Sequence, residues 1–163
     1  MTDISFPLQE SIDALEEQFA TMYALVPQLV VRDTDTSGWS VSQHLEHICI
    51  VAGGFAVVLL TGRGPRLEPT HPEYRPEVLN EGRIPRGKVK APPVAQPTGI
   101  EDPDALTALL KKTHGRLKNA MSQPPDRSAD HPLLGTFSRD EVFRFLVVHN
   151  AHHLAIIDDI LGS

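Results

Sequence analysis

The chain has 163 residues, which is enough for one domain with a substantial hydrophobic core. Its 15 Lys and Arg residues against 21 Asp and Glu residues give a net charge of −6, and the basic residues form no dense stripe. Because binding to a phosphate backbone requires a basic surface, this balance argues against a nucleic-acid partner. We therefore expect a single domain over residues 1–163 that does not bind nucleic acid.

Two features of the sequence bear on where the protein is found. Cys49 is the single cysteine, so no internal disulfide can form, which fits a reducing compartment. Residues 1–5 show no basic region followed by an apolar run, so no signal peptide is visible. The most apolar stretch, residues 48–60, is shorter than the roughly 20 residues that span a bilayer. We expect a cytoplasmic protein with no membrane partner, in which this stretch belongs to a buried core helix.

The first two helices are predicted from apolar residues that recur every three or four positions. One covers about residues 8–25 and the other about residues 41–60. Ser40 and Gln43 have the spacing of a capping box at the start of the second helix. From Ile48 onward this helix is apolar nearly all round, which predicts a central position in the fold.

Two adjacent glycines, Gly53 and Gly54, lie in the middle of the second predicted helix. Each costs about 1 kcal/mol of helix stability relative to Ala. The close approach of a neighbouring helix or of a ligand would explain why they are tolerated.

Residues 65–101 contain eight prolines, which exclude a long helix there. Connections of this length are uncommon in compact domains and usually have a function or are disordered. Apolar residues such as Tyr74 and Val78 give this segment something to bury. We therefore predict an ordered excursion that covers one end of the molecule, with one helical turn over residues 77–82.

The remaining helices are predicted from their caps. Asp102 followed by Pro103 is a typical start for the third helix, and a second loop covers residues 126–136. Ser138 and Glu141 form another capping box, from which the fourth helix begins. Because no segment has a convincing strand pattern, the predicted fold class is an all-α helical bundle.

Histidines occupy core-facing positions of the fourth predicted helix. His149 and His153 belong to its apolar stripe, and a spacing of four places them one above the other on the same face. That geometry allows two imidazoles to reach one divalent metal. A third ligand is needed, and on the second helix His44 and His47 both qualify. Periodicity does not choose between these two, and histidines that pair with carboxylates or with each other, without any metal, are an alternative.

Three segments together resemble a known family. Residues 39–48 (WSVSQHLEHI) are similar to the second-helix motif of the DinB-like superfamily, and residues 149–153 (HNAHH) are similar to its last-helix motif. Residues 131–138 (HPLLGTFS) resemble the lead-in to that last helix in one uncharacterised branch. The resemblance implies a four-helix bundle with up-down-down-up topology. The long Pro-rich connection between helices 2 and 3 would allow those two helices to run parallel.

The same resemblance implies a set of ligands. It assigns the metal to His47, His149 and His153, makes His152 a neighbour of the site, and leaves His44 beside the metal without binding it. Glu46 is a further candidate from the sequence itself, because a carboxylate near the site can orient a ligand imidazole or act as a base. His44, Glu46 and His152 are therefore predicted to support the site or to line its pocket.

Three histidine ligands leave a coordination position open, as in catalytic rather than structural metal sites. An open position on zinc or nickel can hold water or a thiolate. Characterised members of the superfamily include thiol-dependent S-transferases and an isomerase that uses a low-molecular-weight thiol. The resemblance thus implies a metal-dependent thiol S-transferase or a related hydrolase, acting on a small molecule with such a thiol as co-substrate. The alternative is a non-enzymatic bundle that binds a small molecule, stores a metal or forms a homodimer.

Other charged residues have two interpretations. Four arginines in or beside the Pro-rich segment either bind the carboxylates of a thiol or are solvated loop charges, and the second interpretation is favoured. They are Arg63, Arg75, Arg83 and Arg86. Glu141 is explained by its capping role, whereas Asp158 and Asp159 near a helix C-terminus suggest a partner or a role. Cys49 lies in an apolar run, which indicates a buried, unreactive thiol.

Overall fold

The computed structural model of the protein describes residues 6–163 and contains four long helices, one short helix and a small β-hairpin. The prediction about a signal peptide concerns residues 1–5, which lie outside this described part. The helices are α1 (Leu8–Leu25), α2 (Val41–Thr61), α3 (Arg75–Leu79), α4 (Pro103–Met121) and α5 (Arg139–Leu161), and the strands are β1 (Ser128–His131) and β2 (Gly135–Ser138). The predicted mostly helical fold is confirmed.

The helix starts follow the predicted caps. Both capping boxes are present: Ser40 and Gln43 exchange hydrogen bonds at the start of α2, and Ser138 and Glu141 do so at the start of α5. The side chain of Asp102 accepts a hydrogen bond from the backbone of α4. These bonds satisfy N–H groups that a helix N-terminus otherwise leaves without partners.

The expectation of no strand is wrong for the segment before α5. Within residues 126–138, β1 and β2 pair antiparallel, with Ser128 opposite Ser138 and His131 opposite Gly135. Strands of four residues are too short to show a clear alternation of apolar and polar side chains. Gly135 has a φ of +94°, a conformation that favours glycine and allows the tight reversal between the strands.

Contacts between helices define their directions. His44 and Phe55 of α2 contact His153 and Phe145 of α5 in opposite order along the chain, so these helices run antiparallel.

By contrast, α2 and α4 run in the same direction. Ser42 donates to the carbonyl of Ile100 just before α4, and further along Cys49 contacts Thr113. The first and last helices, α1 and α5, are also parallel. Gln18 in α1 accepts a hydrogen bond from Asn150 in α5, and Phe6 just before α1 lies under Arg144 near the start of α5. The predicted up-down-down-up topology is confirmed.

Helix α2 occupies the centre of the core. The apolar stretch 48–60 is too short to span a bilayer, but the whole helix has 21 residues. By length and composition alone, the whole helix could cross a membrane. However, 56% of its most apolar window is buried against the rest of the protein. That is the position of a core helix, as its all-round apolar character predicted.

The Pro-rich segment packs onto the bundle as expected. Its helical turn is α3, which begins two residues before the predicted turn and buries Val78 and Leu79 in the core. Thr70 and His71 donate backbone hydrogen bonds to the carbonyls of the β-hairpin turn, at Pro132 and Leu133. The segment and the hairpin together cover one face of α2 and α5.

The glycine pair in α2 does not mark a close helix contact. A Cβ placed on Gly53 or Gly54 would have no neighbouring atom within 4 Å. The close approach of another helix is therefore excluded as the explanation. Gly54 instead lines the large cavity described below, so the ligand explanation remains a prediction.

Candidate metal centre

Three buried histidines converge where α2 and α5 pack together. His47 comes from α2, and His149 and His153 come from α5. Each offers one ring nitrogen, and these three nitrogens lie within 4.8 Å of one another. The Nε2 atoms of His47 and His149 are 3.1 Å apart. Two nitrogens bound at about 2.0–2.1 Å to one tetrahedral zinc stand roughly 3.3 Å apart, so this spacing suits a shared metal.

The backbone fixes the tautomer of His47. Its Nδ1 lies 2.7 Å from the carbonyl oxygen of Ala95, and because a carbonyl only accepts, Nδ1 must carry the proton. The lone pair of the neutral ring is then on Nε2, which faces His149. A metal-binding histidine is commonly oriented in this way by a backbone carbonyl.

His153 is connected to a polar relay. Its Nδ1 lies 2.9 Å from Nδ1 of His44, and Nε2 of His44 lies 2.9 Å from the hydroxyl of Ser37. When His153 donates to His44 and His44 donates to Ser37, the Nε2 lone pair of His153 is free for a metal. The Ser37 hydroxyl also accepts the backbone N–H of Trp39, which holds it in place. His44 thus contacts a candidate ligand, and its supporting role stays a prediction.

His149 is the least satisfied member of the cluster. Its Nδ1 is one of two buried side-chain polar atoms without a hydrogen-bond partner in the described part of the chain. If Nδ1 carries the proton, two lone pairs face each other across the 3.1 Å between His149 and His47. A cation between these nitrogens would remove that repulsion. The donor set therefore fits a divalent metal.

The surroundings keep the cluster uncharged. Burial lowers the pKa of His47, and burial together with the neighbouring histidines lowers the pKa of His149 and His153 well below the ordinary value. Burial and the nearby His47, His152 and Arg86 lower the pKa of His44 to about 4. Because a metal binds neutral imidazole, these shifts leave the ligands ready to bind at neutral pH.

Trp39 packs against the cluster. Its ring centre lies 5.0 Å from that of His47, 5.2 Å from that of His44 and 6.2 Å from that of His153. The indole therefore restricts the rotation of three imidazoles at once. This contact gives the tryptophan of the WSVSQHLEHI motif a physical role.

Glu46 supports the site indirectly. Its carboxylate accepts hydrogen bonds from the backbones of Thr98, Gly99 and Ile100 and from the Thr98 hydroxyl. Burial raises the pKa of this carboxyl, but the hydrogen bonds outweigh it and hold the pKa below its ordinary value. Glu46 therefore fastens to α2 the loop that follows Ala95, whose carbonyl orients His47. It contacts no ligand imidazole, so that form of the prediction is wrong.

His152 lies beside the cluster and not within it. Its ring meets that of His153 edge-on, with centres 5.0 Å apart, and it lines a cavity. Burial is the main cause that lowers its pKa, and the positive charge of Arg86 adds to this effect. The predicted neighbour role agrees with this position.

A cavity of about 850 Å³ opens beside the histidines. The three candidate ligand histidines and His152 form one part of its wall, α2 and α5 form another, and the Pro-rich segment and β-hairpin close over it. Most of the lining is apolar, including Val51, Phe55, Val58, Ile84 and Ile156. The size suits a drug-sized organic molecule.

His131 is a second polar group in this wall. Its Nδ1 accepts the backbone N–H groups of Leu133 and Leu134, at 3.1 and 3.2 Å. Burial lowers its pKa to about 4. Its ring packs on Phe145, which in turn contacts His149. The ring of Phe145 therefore lies between His131 and His149, one of the candidate metal ligands.

Two arginines of the Pro-rich segment pair with acidic residues of α5. Arg75 pairs with Glu141 at 2.7 Å, donates to the carbonyl of Thr136 and lies over the ring of Phe137. Arg86 pairs with Asp159 at 2.6 Å, which gives that acidic residue its partner.

Within residues 6–163, none of the four arginines lines the cavity. Cys49 is buried, and burial raises the pKa of its thiol to about 12, so it is unreactive as expected.

Sequence reasoning missed several members of the site. Ser37 and the Ala95 carbonyl left no signal, because a backbone oxygen is common to all residues and Ser37 lies in a loop. His131 was visible only as part of the HPLLGTFS segment. Its proximity to α5 depends on the β-hairpin, which was not predicted.

The fold and the site together define a class: a four-helix, up-down-down-up bundle with three buried histidines at the edge of an apolar cavity. A family model described as the DinB superfamily matches residues 14–157. The chain belongs to the DinB superfamily. No curated protein and no solved structure matches the chain.

Proposed function

We propose that the protein is a divalent-metal-dependent thiol S-transferase that acts on a small molecule. One observation carries the proposal: three buried, uncharged histidines, His47, His149 and His153, form part of the wall of a large apolar cavity. Three imidazoles leave a coordination position open, and the cavity supplies space for a substrate beside it.

The ligands would be the three histidine rings. Bound there, zinc or nickel would lower the pKa of a thiol and hold it as a thiolate at neutral pH. Ala95 and His44 hold the rings of His47 and His153 in the tautomers that present lone pairs. Trp39 restricts their rotation.

The transfer step is a substitution. The thiolate sulfur forms a bond to an electrophilic carbon of the second substrate, and the leaving group departs with the electron pair of the broken bond. The thiol proton goes to solvent or to His152, an uncharged imidazole in the cavity wall. The apolar wall excludes water, which favours sulfur over water as the nucleophile.

Transfer is favoured over hydrolysis because the nearby carboxylates are already engaged. Glu46 accepts hydrogen bonds from the 98–100 loop. Asp130, which lines the cavity, accepts from Leu67 and Thr136. A hydrolase commonly uses a free carboxylate or histidine as a general base toward water, and in the described cavity wall only His152 is left for that role, whereas a metal-activated thiolate needs none. A related hydrolase is therefore the less favoured enzyme.

The test is a direct assay of thioether formation. Metal-free protein is loaded with zinc or with nickel and mixed with 1-chloro-2,4-dinitrobenzene and one of several small thiols, such as N-acetylcysteine or cysteamine. Mass spectrometry then measures the thioether. The proposal predicts formation above the uncatalysed rate that disappears in His47→Ala. The matched control is His71→Ala, an exposed histidine outside the cavity lining, which should keep the activity.

The second candidate is a non-enzymatic module that binds a small molecule or stores a metal. The extent of the apolar cavity favours it, since binding alone would use that surface. A metal-loaded protein that binds an apolar ligand tightly and forms no thioether with any thiol and electrophile would support this candidate. A homodimer, a cytoplasmic location and the absence of nucleic-acid and membrane partners stay predictions.

A further inference from the structure

His131 presents a fixed hydrogen-bond donor. Its Nδ1 accepts two backbone N–H groups, from Leu133 and Leu134, so this nitrogen carries a lone pair and no proton. The proton of the neutral ring is therefore on Nε2. In the described part of the chain, no side chain or backbone group accepts a hydrogen bond from this N–H.

The neighbours of His131 cannot supply an acceptor of ordinary strength. Its ring centre lies 4.9 Å from that of Phe145, 5.6 Å from that of Phe137 and 6.1 Å from that of Phe55. The imidazole also lines the large cavity. This N–H is not among the buried polar atoms without a partner, so it reaches the cavity space, where water can pair with it. A ligand that displaces this water without offering an acceptor would leave the N–H buried and unpaired, whereas a ligand with an acceptor would keep the hydrogen bond.

The charge of the cavity limits the ligand further. Lys90 and Asp130 are the charged residues in its described lining. Lys90 is exposed to solvent, and the carboxylate of Asp130 accepts hydrogen bonds from Leu67 and Thr136. His131 and the metal-site histidines are uncharged. In the metal-free cavity, a charged ligand would therefore lose its hydration without gaining a buried counter-ion.

We propose that the cavity binds an uncharged, largely apolar molecule whose carbonyl or ether oxygen accepts a hydrogen bond from Nε2 of His131. Phe145 separates this donor from His149, so the oxygen would be held about one phenyl ring from the metal cluster. This inference rests on the proposed function, in which the cavity receives a substrate. It adds the chemical class of that substrate and a residue, His131, that positions it.

Two ligands of nearly equal shape test the proposal. Benzophenone carries a carbonyl oxygen, and diphenylmethane has a methylene group in its place. A neutral fluorescent probe, N-phenyl-1-naphthylamine, is bound to the protein, and its displacement by each ligand is measured with and without zinc. In a purely apolar cavity the hydrocarbon should bind more tightly, because the ketone loses a hydrogen bond to water. The proposal predicts the reverse order, with benzophenone about three- to tenfold tighter.

The matched variant is His131→Asn. The amide oxygen of Asn takes the place of Nδ1 and can accept the Leu133 and Leu134 N–H groups, while the donor at the Nε2 position is lost. The preference for benzophenone should disappear in this variant, and diphenylmethane should bind as in the parent. The charged analogue 4-benzoylbenzoate should bind the metal-free parent more weakly than benzophenone.

Nuclear magnetic resonance supplies a measurement that does not depend on the variant. In protein with ¹⁵N-labelled histidine, the Nε2–H of His131 should shift when benzophenone is added and stay unchanged with diphenylmethane. A preference for diphenylmethane, or no shift, would overturn the inference. It also fails if the probe does not bind the parent protein. Ligand binding is also measured without metal, so the two hypotheses can fail separately. If no thioether forms but benzophenone binds as predicted, the proposed function is wrong and this inference is supported.

Discussion

Removal of the His44 imidazole tests how the metal site is held. His44 contacts His153 through a 2.9 Å hydrogen bond between Nδ1 atoms, and when His153 is the donor this bond leaves its Nε2 lone pair free for the metal. In the His44→Ala variant the His153 ring loses its orienting partner. Loss of such a partner costs about 10–100-fold in metal affinity, or roughly 1.4–2.7 kcal/mol. We expect a weakening of that size, with a stoichiometry that stays at one metal per chain.

The assay is competition for zinc with a chromophoric chelator, and two variants serve as controls. His44→Asn keeps an acceptor where His44 has Nδ1, so it should recover most of the affinity. His152→Ala removes a neighbouring histidine whose ring contacts that of His153 without a hydrogen bond to it. This variant should change the zinc affinity by less than about threefold. An unchanged zinc affinity in His44→Ala would refute the relay. A complete loss of zinc would show instead that His44 is itself a ligand.

Three further predictions concern stability, each measured by urea unfolding of metal-free protein. Gly53→Ala should raise the free energy of unfolding by about 0.5–1 kcal/mol, because its Cβ meets open space in mid-helix; a decrease would contradict the assigned geometry. Glu46→Gln should lower it by about 2–3 kcal/mol through the loop hydrogen bonds, and an effect below the experimental error would exclude the anchoring role. Burial holds the pKa of His131 at about 4, against 6.5 in the unfolded chain. The unfolded state thus binds more protons between these values, so this histidine alone should lower the stability by up to about 3 kcal/mol from pH 6.5 to pH 4, in addition to the fall caused by the other buried histidines. This fall should shrink in His131→Asn, and an equal fall in both proteins would refute the assignment.

The parts of the fold that the sequence predicted correctly are those coded by local signals. Ser40 and Ser138 begin their helices with capping boxes that are complete within four residues, and they appear as expected. The apolar period placed His149 and His153 on the buried face of α5. These features depend only on residues that are close in the chain, so they can be predicted from a single sequence.

The features that were missed depend on distant parts of the chain. The carbonyl of Ala95 reaches His47 across 48 positions, and that of Ile100 accepts from Ser42. The hairpin of β1 and β2 pairs strands of four residues, which have too little alternation to be recognised. No local pattern predicts these contacts, because they form only when the bundle brings the segments together.

The interpretation of Glu46 failed for a related reason. A carboxylate near the site was expected to orient a ligand imidazole or to act as a base, but consecutive residues of a helix point about 100° apart. Glu46 therefore faces the loop at residues 98–100, whereas His47 faces α5. The choice between His44 and His47 needed the same three-dimensional information, since both lie on the side of α2 that contacts α5.

His47, His149 and His153 are expected to bind one divalent metal. The most direct measurement is elemental analysis of protein purified without a histidine tag and reconstituted with zinc or nickel. It is made beside His47→Ala, the double variant His149→Ala/His153→Ala, and His71→Ala as a control. We predict close to one metal per chain in the parent and in the control, and none in the other two. The absence of metal from the parent, or its retention by the double variant, would contradict the claim.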